Sequence, residues 1–537
     1  MSTADRRLLA REAALSAALA TSLAALLLWA TPPGIDWAAH AYQRTFLIQH
    51  GFTIWNNFWY AGRYSFVTYS LIYYPLAALF GIRVLALASI GTAAAAFSLV
   101  VLREWGWRAR ISSRTFAVLW VGIVGSAAFP FALAMSFALL SIWALQGGRR
   151  GRFAVGAVLT LAASPLAFVL LVIVGAGVLL SRRSLRNVGL PVAAVAGAGL
   201  LELLLYRLFG GTGRFPFPLL ELLPALVFVG VGLIATSGVP AARVLRGFFW
   251  TYLVVLIAAY VVPSGLGSNI DRVRYIALPL ALIVVTLRHW RPLWMVVPAV
   301  VLGAVWNLTP IVDSFSQSSG DPEVTRTYWQ PAIAYLHQHL SPSFRVEAVD
   351  TVEHWPAAYL PEAGIPIVRG WYRQGDFPTN ELLYDKPLRR ATYAKWLRGL
   401  GVRYVVISDA TPDYSSRAEA QLIRDGRSGL LPVFRAPHVI VYEVPRALPI
   451  VTGPGLASID WLYSNRVVFE VAKPGTYRVA VRWSPYWKTS QGCVAKGKDG
   501  MIRMRVARAG IVDLRFVLTV SRGLDAIAGV SPAGACS

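Results

Sequence analysis

Apolar and polar positions divide the chain into two halves with different rhythms. From residue 12 to about 310 the pattern is long apolar runs broken by short polar stretches. The first run follows Arg6, Arg7 and Arg11 and ends near Ala30. It is long for a secretory signal core and more runs follow, so it reads as an uncleaved first helix. Ten further runs fall at 84–102, 115–129, 131–146, 153–163, 166–180, 188–209, 223–238, 248–262, 275–289 and 293–310. About eleven transmembrane helices are therefore expected. The run 153–180 has arginines on both flanks. A turn at Ser164-Pro165 keeps both flanks on one side, because proline disfavours helix at the residue before it.

Past residue 310 the periods shorten. A helix is expected over 324–340 and a strand over 344–350. In 392–407, Tyr393, Trp396, Leu397 and Leu400 form one helical face, Gly401 ends it, and 402–407 is a buried strand. Segments 415–425 and 438–444 add a helix and a strand. Residues 311–447 thus read as an α/β domain. Alternating strands at 467–471, 477–483, 501–506 and 512–518 make 448–537 a β-sandwich. The expected fold is a polytopic α-helical membrane domain, 1–310, followed by these two domains.

Composition sharpens the division. Apolar residues are 56% of the 537 and charged residues 15%, too greasy for an ordinary soluble chain. The net charge of +24 would suit nucleic acid, but its distribution does not. Residues 1–310 hold 24 arginines, no lysine and seven acids, a net +17, whereas 311–537 carry a net +7. Most of the excess lies in short loops between apolar runs, where basic residues set membrane orientation. Putting the N-terminus and the clusters around Arg103–Arg114, Arg149–Arg152, Arg182–Arg186, Arg243–Arg246 and Arg288–Arg291 in the cytoplasm places 17 arginines inside and seven outside or near outer ends. The C-terminal domains then lie outside. Cys493 and Cys536 are the two cysteines. A disulfide between them is permitted there, and two separate thiols are the alternative.

This topology gathers unusual residues on the outer side. The loop 31–83 carries Asp36, His40, Arg44, His50, Arg63 and a dense set of Trp and Tyr. Such aromatics suit the lipid–water interface. The i,i+4 spacing of Asp36 and His40 puts them on one face of an amphipathic helix over 36–49. Two further outer loops hold Arg214 with Glu221, and Asn269-Ile-Asp271-Arg272-Val-Arg274. Arginine forks suit phosphate oxygens, and a carboxylate beside them could act as a general base. Equally, Asp36 could be a helix N-cap and Arg272 and Arg274 interfacial anchors.

The pattern Asp36-x-x-x-His40, Gly51, Trp55, Gly62 and Tyr74-Pro75-Leu76 resembles the first outer loop of GT-C-type glycosyltransferases. The nearer resemblance is to the bacterial pyruvoyl-tetrahydropterin-synthase-related membrane-domain group, a label without pterin chemistry. Gly267-Ser-Asn269-x-x-Arg272 and Leu400-Gly401-Val-Arg403-Tyr404 resemble that group too. The resemblance implies an inverting, polyprenyl-phosphate-dependent sugar transfer to a cell-envelope glycan or lipid acceptor at the outer face of a bacterial plasma membrane. Asp36 is then the catalytic base, His40 its support, and Arg63, Arg214, Arg272 and Arg274 the donor-phosphate ligands. GT-C loops often open on two adjacent acids. Here Ile35 and Trp37 flank Asp36, which weakens a metal-assisted version, though a divalent metal stays open. In the outer domain, His354, Trp355, Arg369, Trp371, Arg373 and Asp376 form a polar-aromatic cluster expected to bind acceptor. Two other readings stand beside this one. A transporter needs polar groups at bilayer depth, for which Glu202 is the candidate. A non-catalytic assembly protein would bind envelope glycan without Asp36. No phosphate-cradling Gly-Lys-Ser/Thr loop is present.

Overall fold

An apolar run shields its own backbone polar groups only by coiling, and the runs read above are largely helical. The computed structural model describes residues 3–181, 188–210, 213–317, 322–384, 387–530 and 536. The expected Arg182–Arg186 cluster lies outside them. The chain forms two compact units, Met1–Trp37 with Tyr69–Leu203 and Gly213–Ser319, and Ala38–Thr68 with Leu204–Thr212 and Gly320–Ser537. The first is helical and the second sheet-rich.

Among the described residues seven helical stretches are long and apolar enough to cross a membrane. The expected eleven spans are not confirmed by this measure of length and composition. The helices Arg150–Ala163, Pro165–Ser181 and Ala277–Leu287 have 14, 17 and 11 residues, short of the ~20 a span needs. The run 115–129 is broken into the short helices Arg110–Leu119 and Ile123–Ser126, and Phe116 of the first stacks back on Phe97 of Ile82–Trp105. The break expected at 164–165 is present, with Ser164 extended between two helices. Small residues let helices touch. A Cβ on Gly177 would stand 2.5 Å from Phe248 N, and one on Gly247 2.3 Å from Gly177 O, the close approach that packs helices where no hydrophobic drive exists.

Within the helical unit, helix Ile82–Trp105 has 24 residues, roughly 36 Å at 1.5 Å each. Arg83 at its start lies over the Trp37 ring, 5.5 Å from the centroid. At its far end Trp105 Nε1 donates to Ala241 O (3.0 Å), and beyond it Arg108 meets His289 (3.2 Å). Arg288 binds the carbonyl of Ser237, and Arg114 pairs with Glu12 at 2.7 Å. Arginines far apart in sequence thus share one end, and the Asp36 segment occupies the other.

The sheet-rich unit holds a four-stranded sheet in the order Arg345–Ala348, Val402–Ser408, Val439–Glu443, Leu431–Arg435. Its first pair is parallel and the others antiparallel. Helix Arg326–His339 packs near it through Tyr335 against Tyr404 and Phe434. Two more four-stranded sheets form the sandwich. Val467, Phe469, Val471, Val512 and Leu514 alternate into its core. Cys493 and Cys536 are disulfide-bonded.

The aromatic loop departs from expectation. Helix Trp37–His50 forms, but Ala38–Thr68 belongs to the sheet-rich unit and its rings are buried rather than spread at an interface. Trp55, Trp59 and Phe66 are each at most 1% exposed. Trp59 Nε1 donates to Ala357 O (2.8 Å), and the Tyr60 hydroxyl donates to Gly370 O (2.6 Å). Trp55 stacks on Phe516 at 5.1 Å. An aromatic with its polar tip satisfied gains most by full burial.

Candidate functional site

The site in the helical unit begins with a helix end. The short helix Ile123–Ser126 stops at Ala127, whose φ of 52° is left-handed. Its last carbonyls are left without intrahelical partners. Ile35 N donates to Gly125 O (3.1 Å) and Asp36 N to Ser126 O (3.2 Å). Gly34 permits this docking, since a Cβ there would lie 2.3 Å from Val124 O. Asp36 falls in the turn ahead of the helix that starts at Trp37, so it does not share a helical face with His40 as the spacing suggested.

Three other segments converge on this turn. Trp37 meets Phe129 edge-on at 5.4 Å. The Tyr275 hydroxyl bonds Ser126 Oγ at 3.2 Å. Arg272 lies over Phe131 at 5.1 Å and Arg83 over Trp29 at 5.6 Å. Neither Arg83 nor Arg272 is ion-paired among the described residues. Phe215 N donates to Ser264 O (2.8 Å) and Ser268 N to Pro216 O (3.2 Å), which lays the loop of exposed Arg214 against the connection carrying Asp271, Arg272 and Arg274. The structure therefore keeps Asp36, Arg214, Arg272 and Arg274 in the helical unit.

The sequence reading passed over Arg83 and named Asp271 without giving it a role. Arg83 stood at the edge of an apolar run, and its pairing with Trp29 and Trp37 was the available signal. Asp271 is 5% exposed with Oδ1 lacking a hydrogen-bond partner. Burial pushes its carboxyl up to about 7, against the pull of Arg274 and with help from Glu221. A carboxyl near neutrality is suited to proton transfer.

The remaining candidates lie in the sheet-rich unit. His40 is buried, edge-on to Trp371 at 5.7 Å. Arg63 stacks 3.5 Å from the Tyr372 centroid and donates to Thr68 Oγ1. Arg369 bonds Asp376 (2.6 Å), Ser416 Oγ (2.6 Å) and Ser415 Oγ (2.9 Å), with Glu347 and Glu419 at 3.9 and 3.8 Å. Arg373 bonds Asp350 (2.5 Å) and Asp413 (2.8 Å), and His354 Nδ1 meets Asp350 Oδ2 at 2.8 Å. Trp355 Nε1 donates to Glu353. Burial would raise Asp376, but the Arg369 charge outweighs it and holds the carboxyl low. Burial likewise opposes protonation of His354, and Asp350 overrides it. Of these six, Trp371 alone is not buried. Among the described residues no group of three or more His, Cys, Asp or Glu is placed to hold a metal ion.

No protein-family model matches the chain, and none of the curated proteins does. Among solved structures it is similar to the oligosaccharyltransferase of Archaeoglobus fulgidus tethered to an acceptor peptide, with a TM-score of 0.41 and 10% identity over 74% of this chain and 68% of that one. A second similar structure is archaeal oligosaccharyltransferase AglB from the same organism with an inhibitory peptide and a dolichol-phosphate, at 0.33 and 12% over 75% and 70%. Likeness at this level defines neither a family nor an activity.

Proposed function

We propose that the protein is a membrane glycosyltransferase that moves a sugar from a polyprenyl-phosphate donor to a cell-envelope acceptor at the outer face of the plasma membrane. One observation carries the reading: Asp36 is pinned by its backbone to the Ser126 turn, on the end of the helical unit that also carries Arg83 and Arg272. Asp36 takes the proton of an acceptor hydroxyl. The oxygen attacks the anomeric carbon, the bond from that carbon to the phosphate oxygen breaks, and polyprenyl phosphate leaves with inversion. Arg272, Arg274, Arg214 and Arg83 offset the charge gathering on the phosphate. Arg63 belongs to the sheet-rich unit, where its guanidinium lies over the Tyr372 ring. The arginine-bearing end faces the cytoplasm, as basic loops do, and the sheet-rich unit lies outside. There Trp371 offers a ring to the acceptor, His40 sets its orientation, and His354, Trp355, Arg369, Arg373 and Asp376 hold its loop.

The test is transfer of labelled sugar from a polyprenyl-phosphate donor by protein in liposomes. Asp36→Asn should lower the rate by about 10²–10⁴-fold without moving the melting temperature. An unchanged rate in Asp36→Asn with a lost rate in Asp271→Asn would give the base role to Asp271. Full activity in both would overturn the mechanism.

A further inference from the structure

The helical unit contains a cavity of about 880 Å³ that the sugar-transfer reading does not use. Five helices wall it, Ile82–Trp105, Phe129–Gln146, Pro165–Ser181, Arg243–Val261 and Ala277–Leu287. Its wall changes character along its depth. Phe97, Leu139, Leu280 and Ile283 are apolar and buried, whereas Glu104, Arg108 and Arg243 are exposed. Backbone and side chain tie the mouth together. Trp105 Nε1 bonds Ala241 O, and Gln146 Nε2 bonds Val100 O and Glu104 (3.1 and 3.2 Å).

We propose that this cavity binds an anionic membrane phospholipid, with an acyl chain in the apolar bore and the phosphate between Arg108 and Arg243. The volume falls in the range of pockets that enclose a sizeable apolar ligand. A sugar or small polar solute would leave its hydroxyls unpaired against Phe97, Leu139 and Ile283. The mouth sets two guanidinium groups against one carboxylate and opens on the end where the arginine clusters meet, which attracts anionic headgroups. This is not the donor site, because helix Ile82–Trp105 separates it from Asp36 and Arg83 by most of its length. The inference therefore stands whether or not the sugar-transfer reading does.

The test uses the full chain in detergent with phosphatidylglycerol and phosphatidylcholine as probes, scored by lipid retention in native mass spectrometry. Wild type should retain phosphatidylglycerol preferentially. The surface double variant Arg108→Ala/Arg243→Ala and the bore-filling Leu280→Trp should each lower that retention roughly tenfold or more. Arg149→Ala, on the same basic end outside the cavity, should not. Equal retention of the two lipids by wild type, or undiminished phosphatidylglycerol retention in the double variant, would overturn the proposal. If Leu280→Trp does not fold, the double variant decides alone.

Discussion

The two units use arginine in opposite ways. In the sheet-rich unit Arg369 and Arg373 are buried and surrounded by carboxylates, so their charge is spent inside the protein. In the helical unit Arg83 and Arg272 lie over aromatic faces with no carboxylate partner among the described residues. A guanidinium on a ring keeps its donors available to an anion. The same residue type is thus a core element in one unit and a ring-stacked cation without a carboxylate partner among the described residues in the other, and only the first can be removed at great cost to folding.

Arg369→Met should show the largest stability effect. It strands the Asp376 carboxylate without its counter-charge, which costs about 3–5 kcal/mol and should appear as early thermal unfolding by tryptophan fluorescence. A silent Arg369→Met would break the comparison. Gly34→Ala comes next. Its Cβ has backbone carbonyls 2.3 and 2.6 Å away, which cannot yield as a side chain can, so the Asp36 segment must move. A shift of ~1 Å can cost about 10²-fold in rate, and steady-state kinetics should show it in kcat more than in donor KM. Arg272→Met should change stability by no more than about 1 kcal/mol while raising donor KM about tenfold. Marked unfolding there would erase the contrast with Arg369.

The subtlest test is pH. Burial pushes the Glu419 carboxyl up to about 7 from an ordinary 4.5, against the pull of Arg369. Between those values the folded unit holds a proton that the unfolded chain has released, so this group's contribution falls as pH rises through the window. Glu419→Gln should flatten that slope in melts taken from pH 4.5 to 7, and an unchanged slope would place the dependence elsewhere.

Local periodicity made much of this legible. The strand expected over 402–407 is Val402–Ser408, and the helix over 324–340 is Arg326–His339, because a buried strand and an amphipathic helix each write their pattern within a few residues. The loop 38–68 was not legible. Trp, Tyr and Phe at that density serve a lipid interface or a protein core equally well, and the partners that decide are Ala357, Gly370, Trp487 and Phe516. The ion network was half legible: Arg369, Arg373 and Asp376 stood together in sequence, but the Asp350 and Asp413 carboxylates that pair with Arg373 and the Ser416 hydroxyl that accepts from Arg369 come from distant segments. Arg83 was missed because its ring partners sit on either side of a turn it does not belong to.

Trp55 against Phe516 also has a consequence for synthesis. The loop between the first two apolar runs leaves the ribosome hundreds of residues before the strand Gly510–Phe516 that completes its packing. Through that interval Trp55 and Tyr64 lack the strand that closes around them, and the unit matures only once that strand has been made, as contacts of such long range require. Chains cut short before residue 510 should therefore fail at their N-terminal loop as well as at the missing tail, and quality-control proteases would meet them at both places.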